Sequence, residues 1–406
     1  MPLSGIQTTT IQANAIGTRY SLSYQRGAKQ YRYYDQFAGN LMADSQYNIE
    51  TRRGMGTTYT FQFASRLTPG STAISETADI VPQIIRDATS TISTTSLGEA
   101  VKWSQLLTVE SFMDEWAQRA EVVGINAMES IENQAIAAAL AGSLVQRATA
   151  RASLDAGTTT HNFTEAAVWQ AGAHLADLKA PMYVDEGGNK NWMALVHSDA
   201  NYDLVHGGNL VNAALYQDKS MLLNGEVGRI SEFRIIATPH AKVFYGAGVD
   251  NASAVATTLN DASALALDTT MVVSSATNVS VGRHLAVGTE ETGSTFYPTN
   301  ETVKWVSGTT TITFVGAGAN GGFRYDHANG EAVNNNDNVY PVLYGSPQSL
   351  VKVYASDVGE FGEMVGPLSD GLLNQWQSLG WKWFGGYGRV SENRLIRGEY
   401  SSSLDS

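Results

Sequence analysis

The chain has 406 residues, 43% of them hydrophobic, and 26 Lys and Arg stand against 39 Asp and Glu for a formal net charge of −13. That length accommodates more than one domain, and that apolar content excludes global disorder. With no cysteine in the sequence, disulfides, thiolate nucleophiles and thiolate metal sites are excluded. No run reaches the roughly 18 to 20 apolar residues of a membrane span, and Met1–Gln12 has neither the charged nor the apolar region of a signal peptide. The expectation is a soluble protein folded in a reducing compartment, without contact with a membrane.

Charge is unevenly spread. Residues 1–66 hold seven Lys and Arg against three acids, whereas residues 248–343 hold nine acids against three basic residues. Residues 1–50 have no clean period, and Tyr20, Tyr24, Tyr31, Tyr33, Tyr34 and Tyr47 interleave with Arg19, Arg26, Lys29 and Arg32. This is the composition of an extended arm ordered by a surface it lies on. Aromatics beside cations fit nucleic acid, and packing on a neighbouring protein is the favoured reading of the two.

Thr57–Phe63 alternates Tyr59, Phe61 and Phe63 with Thr and Gln, the pattern of a half-buried strand. A polar stretch over 67–99, with a turn at Pro69-Gly70, precedes a second strand-like run at Gly98–Leu107. Together they predict an excursion held by something outside the chain, since long structureless loops are rare inside compact domains. Thr108–Gln146 then predicts the longest element. Phe112, Trp116, Ala120, Val123, Ala127, Ile131, Ala135 and Ala138 recur at helical spacing. Ser111 and Asp114 have capping-box spacing, and Asp114, Glu115, Arg119, Glu121, Glu129 and Glu132 lie off the stripe. Gly124 and Gly142 are places for a bend or for the close approach of another chain.

Further on, Thr164–Leu178 predicts a helix with Val168, Ala171, Leu175 and Leu178 on one face, and Leu204–Leu222 a weaker one. Trp192–Val196, Phe233–Ala237 and Val243–Tyr245 read as strands, giving a compact α/β or α+β unit. From Gly248 to Leu343 helical period vanishes, and strands are expected at Thr269–Val273, His284–Val287, Thr302–Val306 and Thr311–Val315. Ser349–Ala355, Trp376–Gly388 and Arg394–Tyr400 close the chain as further strands.

No motif carries catalysis. Gly316–Gly321 matches G-x-G-x-x-G, but breakers follow where the dinucleotide fingerprint requires a helix. The seven histidines show no H-E-x-x-H spacing, and no G-x-S-x-G occurs. His197-Ser198-Asp199 reads as a strand-end turn, and Asp357, Glu360, Glu363 and Asp370 as a solvated face. No cofactor, metal or turnover is expected.

The order of parts, with Asn224–Pro239 (NGEVGRISEFRIIATP), Glu99–Leu107 and the segment from Gly380, resembles the major capsid proteins of tailed bacteriophages, the Hong Kong 97-like fold. The resemblance implies an α+β chain: an N-terminal arm (1–51), an extended β-hairpin loop (52–105), a peripheral domain with the spine helix (106–162), an axial domain (163–247 and 344–375), an inserted small all-β domain (248–343) and a C-terminal return to the peripheral domain (376–406). It implies self-assembly into hexamers and pentamers of an icosahedral shell around double-stranded DNA, without sequence-specific contact, and a place in the virion after assembly in the bacterial host cytoplasm. Portal, scaffolding and decoration proteins are partners the resemblance allows. The loop residues Arg52, Arg53, Tyr59, Phe61, Phe63, Arg66 and Arg86 are expected to lie on the adjacent subunit's spine, with arginines meeting Glu129 or Glu132 there. Arg19, Arg26, Lys29 and Arg32 are expected to run along the inner side of neighbouring subunits. No lysine occurs in 54–99, so the lysine–asparagine crosslink of some relatives is not carried over. The start at Met1 reads as an uncleaved chain. A nanocompartment of the same fold, encapsulin-like, and a tail or adhesin-like structural protein remain the alternatives.

Overall fold

The computed structural model describes residues 23–28, 33–35, 38–40, 58–64, 67, 69–70, 82–110, 115–184, 188, 190–207, 211–212, 226–249, 256–262, 264–275, 284–288, 301–308, 310–316, 318–347, 349–354, 362–370, 375–389 and 391–405. Among these, five helices occur: α1 (23–28), α2 (Gln105–Glu110), α3 (Glu115–Leu140), α4 (Glu165–Asp177) and α5 (Ser198–Gly207).

The spine is α3, whose 26 residues span about 39 Å at 1.5 Å per residue. It stops six residues before the sequence pattern suggested, and Val145–Gln146 instead pairs in parallel with Arg397–Gly398. The helix end is met by two arginines. Arg389 donates to the Ala139 carbonyl at 3.3 Å and Arg397 donates to the Leu140 carbonyl, satisfying acceptors that have no partner within the helix. A Cβ on Gly142 would fall inside the Arg389 guanidinium, so this glycine makes room for the cap. Residues 111–114, with Phe112 and the expected capping box, lie outside the described residues.

An eight-stranded sheet lies under the spine. Its main path runs Val145–Gln146, Leu395–Tyr400, Tyr340–Gly345, Lys190–His197, Phe233–Thr238, Glu226–Ile230, Val211–Asn212. Both faces are covered, which explains the unbroken apolar run Trp192–Val196 within the strand Lys190–His197. Met193, Leu195, Ile236 and Leu343 face the cluster under α3. Trp192, Ala194, Val196, Ile235, Val342 and Tyr344 face the cluster under α4 and α5, where Val168, Ala171 and Leu175 are buried as their spacing predicts. The helix expected over 204–222 ends at Gly207, and Val211–Asn212 is strand.

A five-stranded sheet is organised by the 14-residue strand Trp376–Arg389, which pairs with Thr95–Ser104 on one side and with Leu350–Tyr354 and Glu363–Asp370 on the other. Leu379, Trp381 and Trp383 alternate toward α3, and Trp381 Nε1 donates to Asn126 Oδ1 at 2.9 Å. Leu350–Tyr354 thus belongs to this five-stranded sheet, whereas Leu395–Tyr400 belongs to the eight-stranded one.

The six-stranded sheet has the order Ala256–Thr258, Ala332–Asn334, His284–Val287, Glu301–Gly308, Thr311–Val315, Thr270–Val272. It buries its own cluster, including Met271, Leu285, Val303, Trp305, Ile312, Phe314, Phe323 and Val333. All four strands expected from pattern are present, and Ala256–Thr258 and Ala332–Asn334, three residues each, join them without having been expected. Sheet membership changes after Asn334: Asp337 and Val339 already bond to Gly248 and Phe244 of the body, and Tyr340–Gly345 belongs wholly to the eight-stranded sheet.

Candidate functional site

Four features stand out around the spine and the five-stranded sheet: an N-terminal segment, a two-stranded ribbon, the helix-end arginines and an exposed apolar patch.

The N-terminal segment is not wholly extended. Helix α1 crosses α3 at Gly124, where a Cβ would lie 2.2 Å from the Tyr24 carbonyl oxygen, so the close approach permitted by that glycine is made by the chain's own N-terminal segment. Tyr24 and Ala28 are buried there and Arg26 is exposed. At the next turn the amides of Tyr33 and Asp35 donate to Glu132 Oε1 at 2.8 and 3.1 Å, and that of Tyr34 donates to Oε2 at 2.9 Å. Glu132 was expected on the solvent face; it is 3% exposed and bound within its own chain, so it is not a surface partner for a neighbour's arginine. Burial first, then the Asp35 charge, push its carboxyl up to about 8 against the pull of the three amides. Asp35 in turn accepts from Lys352 Nζ at 2.6 Å and from the Tyr387 hydroxyl at 2.5 Å. Glu129 is half-buried, and Val123 and Ile131 are buried as expected. Trp116 is only partly buried and sets its ring edge-on to Trp103 with centroids 4.6 Å apart. Arg19, Lys29 and Arg32 lie outside the described residues.

The ribbon pairs Thr58–Ala64 antiparallel with Asp87–Ser93. Its base is anchored on its own chain: Tyr59 is 7% and Ile92 1% exposed, Ser90 Oγ donates to the Arg389 carbonyl at 2.7 Å, and Ile92 occupies the space a Cβ on Gly388 would need. Tyr59 was expected to be covered by a neighbouring subunit; it is already buried within its own chain. Arg86 is exposed. The side chains of Phe61 and Phe63, and all of Arg52, Arg53 and Arg66, lie outside the described residues.

The helix-end arginines continue into a buried ion cluster that sequence reading missed. Glu399, fully buried, accepts from Arg147 at 2.8 Å and Arg151 at 2.6 Å, with Arg397 Nε at 3.0 Å. Burial pushes the Glu399 carboxyl up, and the arginines, Arg151 foremost, more than offset this and hold it below its usual range. Ungrouped arginines spread over 250 residues give no local signal for such a site.

The apolar patch lies at the far end of the five-stranded sheet. Helix α2 buries none of its residues, leaving Leu106, Leu107 and Val109 exposed beside Trp376, which pairs with Ser104. Exposed Ile84, Ile85 and Leu368 add to the apolar surface of the ribbon and of this sheet. Among the described residues, no group of three or more His, Asp or Glu is placed to hold a metal ion, and no helix is long and apolar enough to cross a membrane. The loop Gly316–Gly321 returns through a single 3-10 turn to its own sheet, with the Gly316 amide on the Gly321 carbonyl at 2.8 Å, so no helix start faces a phosphate there.

A solved structure described as the capsid of Ralstonia phage GP4 superposes with a TM-score of 0.54 at 10% identity, covering 86% of this chain and 84% of that one. The chain has the Hong Kong 97-like capsid fold. The capsid structure of cyanophage P-SCSP1u (TM-score 0.49, 13% identity, 87% and 84% covered) and the acid-stable capsid of Helicobacter pylori bacteriophage KHP30 (0.48, 10%, 85% of each) are similar at a level that adds no further argument. No family model matches the sequence, and no curated protein matches it.

Proposed function

We propose that this chain is a major capsid protein of a tailed bacteriophage, assembling with copies of itself into the hexamers and pentamers of an icosahedral shell that holds double-stranded DNA. The observation that carries the reading is the fold shared with the Ralstonia phage capsid over most of both chains. The exposed apolar residues of α2 and the ribbon support it, because contiguous apolar surface marks association sites. With a net charge of −13 the chain encloses DNA without gripping phosphates strongly or reading sequence. Its place is then the virion, after assembly in the host cytoplasm, with portal and scaffolding or decoration proteins as further partners.

Residues 52–105 are proposed as the extended loop whose outer part, beyond Tyr59, crosses to the adjacent subunit, and 106–162 as the peripheral domain. The axial domain is drawn from 163–247 and the strand Tyr340–Gly345, and the inserted β domain lies between 249 and 336. Negative-stain images of the purified chain test the proposal. Closed shells of uniform size are expected, nucleic acid in particles from infected cells supports the capsid reading, and shells that only ever enclose protein point to a nanocompartment. Fibres or trimers would overturn it in favour of a tail or adhesin-like protein.

A further inference from the structure

A lysine and two carboxylates from three distant segments meet where the turn 33–35 lies against the spine. The side chains of Lys352 and Asp35 are 4% and 0% exposed, and Lys352 Nζ lies 2.6 Å from Asp35 Oδ1. Glu132, itself buried, accepts the amides of Tyr33, Tyr34 and Asp35. Past the turn, Gly39–Asn40 pairs in parallel with Val351–Lys352, so the backbone is held on both sides of the Asp35 carboxylate. Lys352 stands opposite Tyr387 in the sheet, and the Tyr387 hydroxyl donates to the same Asp35 Oδ1 at 2.5 Å. The Tyr354 and Tyr387 ring centroids lie 5.6 and 5.7 Å from Nζ, and Tyr34 in the turn is also buried. A primary amine is thus fixed against a carboxyl group in a site closed to water and flanked by two aromatic rings.

We infer that this is a self-modifying site, at which Lys352 and Asp35 condense into an amide that bridges two segments of one chain. With a C–O bond of about 1.2 Å, Nζ is no more than about 3.8 Å from the Asp35 carboxyl carbon, close to the ~3–3.5 Å of a near-attack arrangement. Within the pair a proton passes from the ammonium to Asp35, leaving a neutral amine beside a carboxylic acid. The Nζ lone pair then attacks Cγ, and the Tyr387 hydroxyl supports the oxygen on which negative charge develops. One carboxyl oxygen leaves as water with two of the three ammonium protons, and Nζ keeps the third. The reaction consumes nothing else. It turns an ion pair that is costly to desolvate into a neutral amide, and holding both groups in place supplies the effective concentration they lack in free solution. Glu132 acts as a positioning residue, since its grip on the turn keeps Asp35 against the amine. The bridge joins residues 317 positions apart and fastens the N-terminal segment to the five-stranded sheet. It is a property of the single chain and does not depend on the capsid reading.

Mass spectrometry of the full-length protein, purified folded and then denatured, tests this. The wild type should weigh about 18 Da less than its sequence, the mass of one water, with its N-terminus read from the same digest. Trypsin should no longer cleave after Lys352 and should release a branched peptide joining the segments that carry Asp35 and Lys352. Lys352→Arg keeps a cation but removes the amine, and should have its full sequence mass. Asp35→Asn should reach the same amide by losing ammonia instead, about 17 Da. Glu132→Gln, in protein whose circular dichroism matches wild type, should leave an unbridged fraction visible as a second mass; complete bridging there overturns its positioning role. A wild type of full sequence mass, cleaved normally after Lys352 even after prolonged incubation, overturns the inference whether or not the variants fold. So does the same water loss in Lys352→Arg, which would place the dehydration elsewhere.

Discussion

Replacing Glu399 with alanine should be the most damaging single change outside the apolar cores. The carboxylate is fully buried on the strand Leu395–Tyr400, and two guanidiniums donate to it at 2.6 and 2.8 Å with a third at 3.0 Å. Arg397 also donates to the Leu140 carbonyl, and the Arg151 guanidinium lies 3.9 Å over the Phe244 ring. Without Glu399, the cations Arg151 and Arg397 face each other with no counter-charge, and removing one partner of a buried pair typically costs about 3–5 kcal/mol. Arg147 is different. Its side chain is 34% exposed, so its loss should cost only about 0–1 kcal/mol, as for a solvent-screened pair. Urea unfolding of unassembled protomers, followed by tryptophan fluorescence, measures both, provided the m-value is unchanged. The folded-state carboxyl is held low, so the stabilisation is present above the ordinary carboxyl range and lost as pH falls through the depressed value. The gap between wild type and Glu399→Ala should therefore narrow in strong acid. A loss below about 1 kcal/mol for Glu399→Ala would refute the reasoning, as would an Arg147→Ala cost equal to it.

In unassembled protomers the ribbon base should exchange slowly, at Tyr59 and Thr60 and at Ser90–Ser93, because Tyr59 and Ile92 are already covered; fast exchange there would mean that this base is ordered only by a neighbour. Replacing 250–335 with a short Gly/Ser linker should leave the rest folded by circular dichroism, since the six-stranded sheet buries its own cluster; an insoluble product would show that the body depends on it. The two ring nitrogens of His327 lie 3.0 Å from Glu301 Oε1 and 2.8 Å from Glu331 Oε2. Burial lowers its pKa, and the two carboxylates, Glu301 first, more than offset this, so the pKa is raised. The six-stranded sheet should be most stable below about pH 6.5 and lose that increment as pH rises above it, in Trp305 fluorescence, with His327→Gln abolishing the dependence. Leu106→Ser with Val109→Ser should leave protomer stability unchanged and abolish shells in electron micrographs; normal shell yield would remove α2 from the interface.

The architecture was legible where burial follows period. Val168, Ala171 and Leu175 sit at helical spacing and are buried on one face of α4. In the six-stranded sheet, Thr311–Val315 alternates between buried and open positions, and four of the six strands were readable from local pattern. What local pattern could not supply was sheet membership. Leu350–Tyr354 and Leu395–Tyr400 both read as strands, and only pairing partners more than 30 and about 50 residues away in sequence decide which of two sheets each enters. The end of α3 was overrun for a related reason: Ala141, Leu144 and Val145 continue an acceptable helical composition, and the stop is set by arginines that arrive some 250 residues later.

The candidate site was least legible at its charges. A helical wheel assigns Glu132 to solvent, since an ionised carboxylate without partners cannot enter a dry site. The assignment fails because partners come from backbone amides, which carry no residue identity and so leave no mark in the sequence. Tyr33, Tyr34 and Asp35 could be almost any residues and still donate those three bonds. What Asp35 adds is specific: its side chain requires Lys352 and Tyr387 to be opposite, and neither stands out in its own strand. Glu399 repeats the pattern with side chains in place of amides, since its arginines at 147, 151 and 397 become a cluster only when the last strand lies beside the segment that leaves the spine. In both cases the acid sits on the element that arrives in regular geometry, helix or strand, and its partners are recruited from irregular segments. The regular element fixes where the charge must be, and the irregular segment then adapts its backbone or long side chains to it. Charges read as solvated on long, strongly periodic elements are therefore the ones most exposed to this misreading, and the N-terminal segment of this fold is where it has the largest structural consequence.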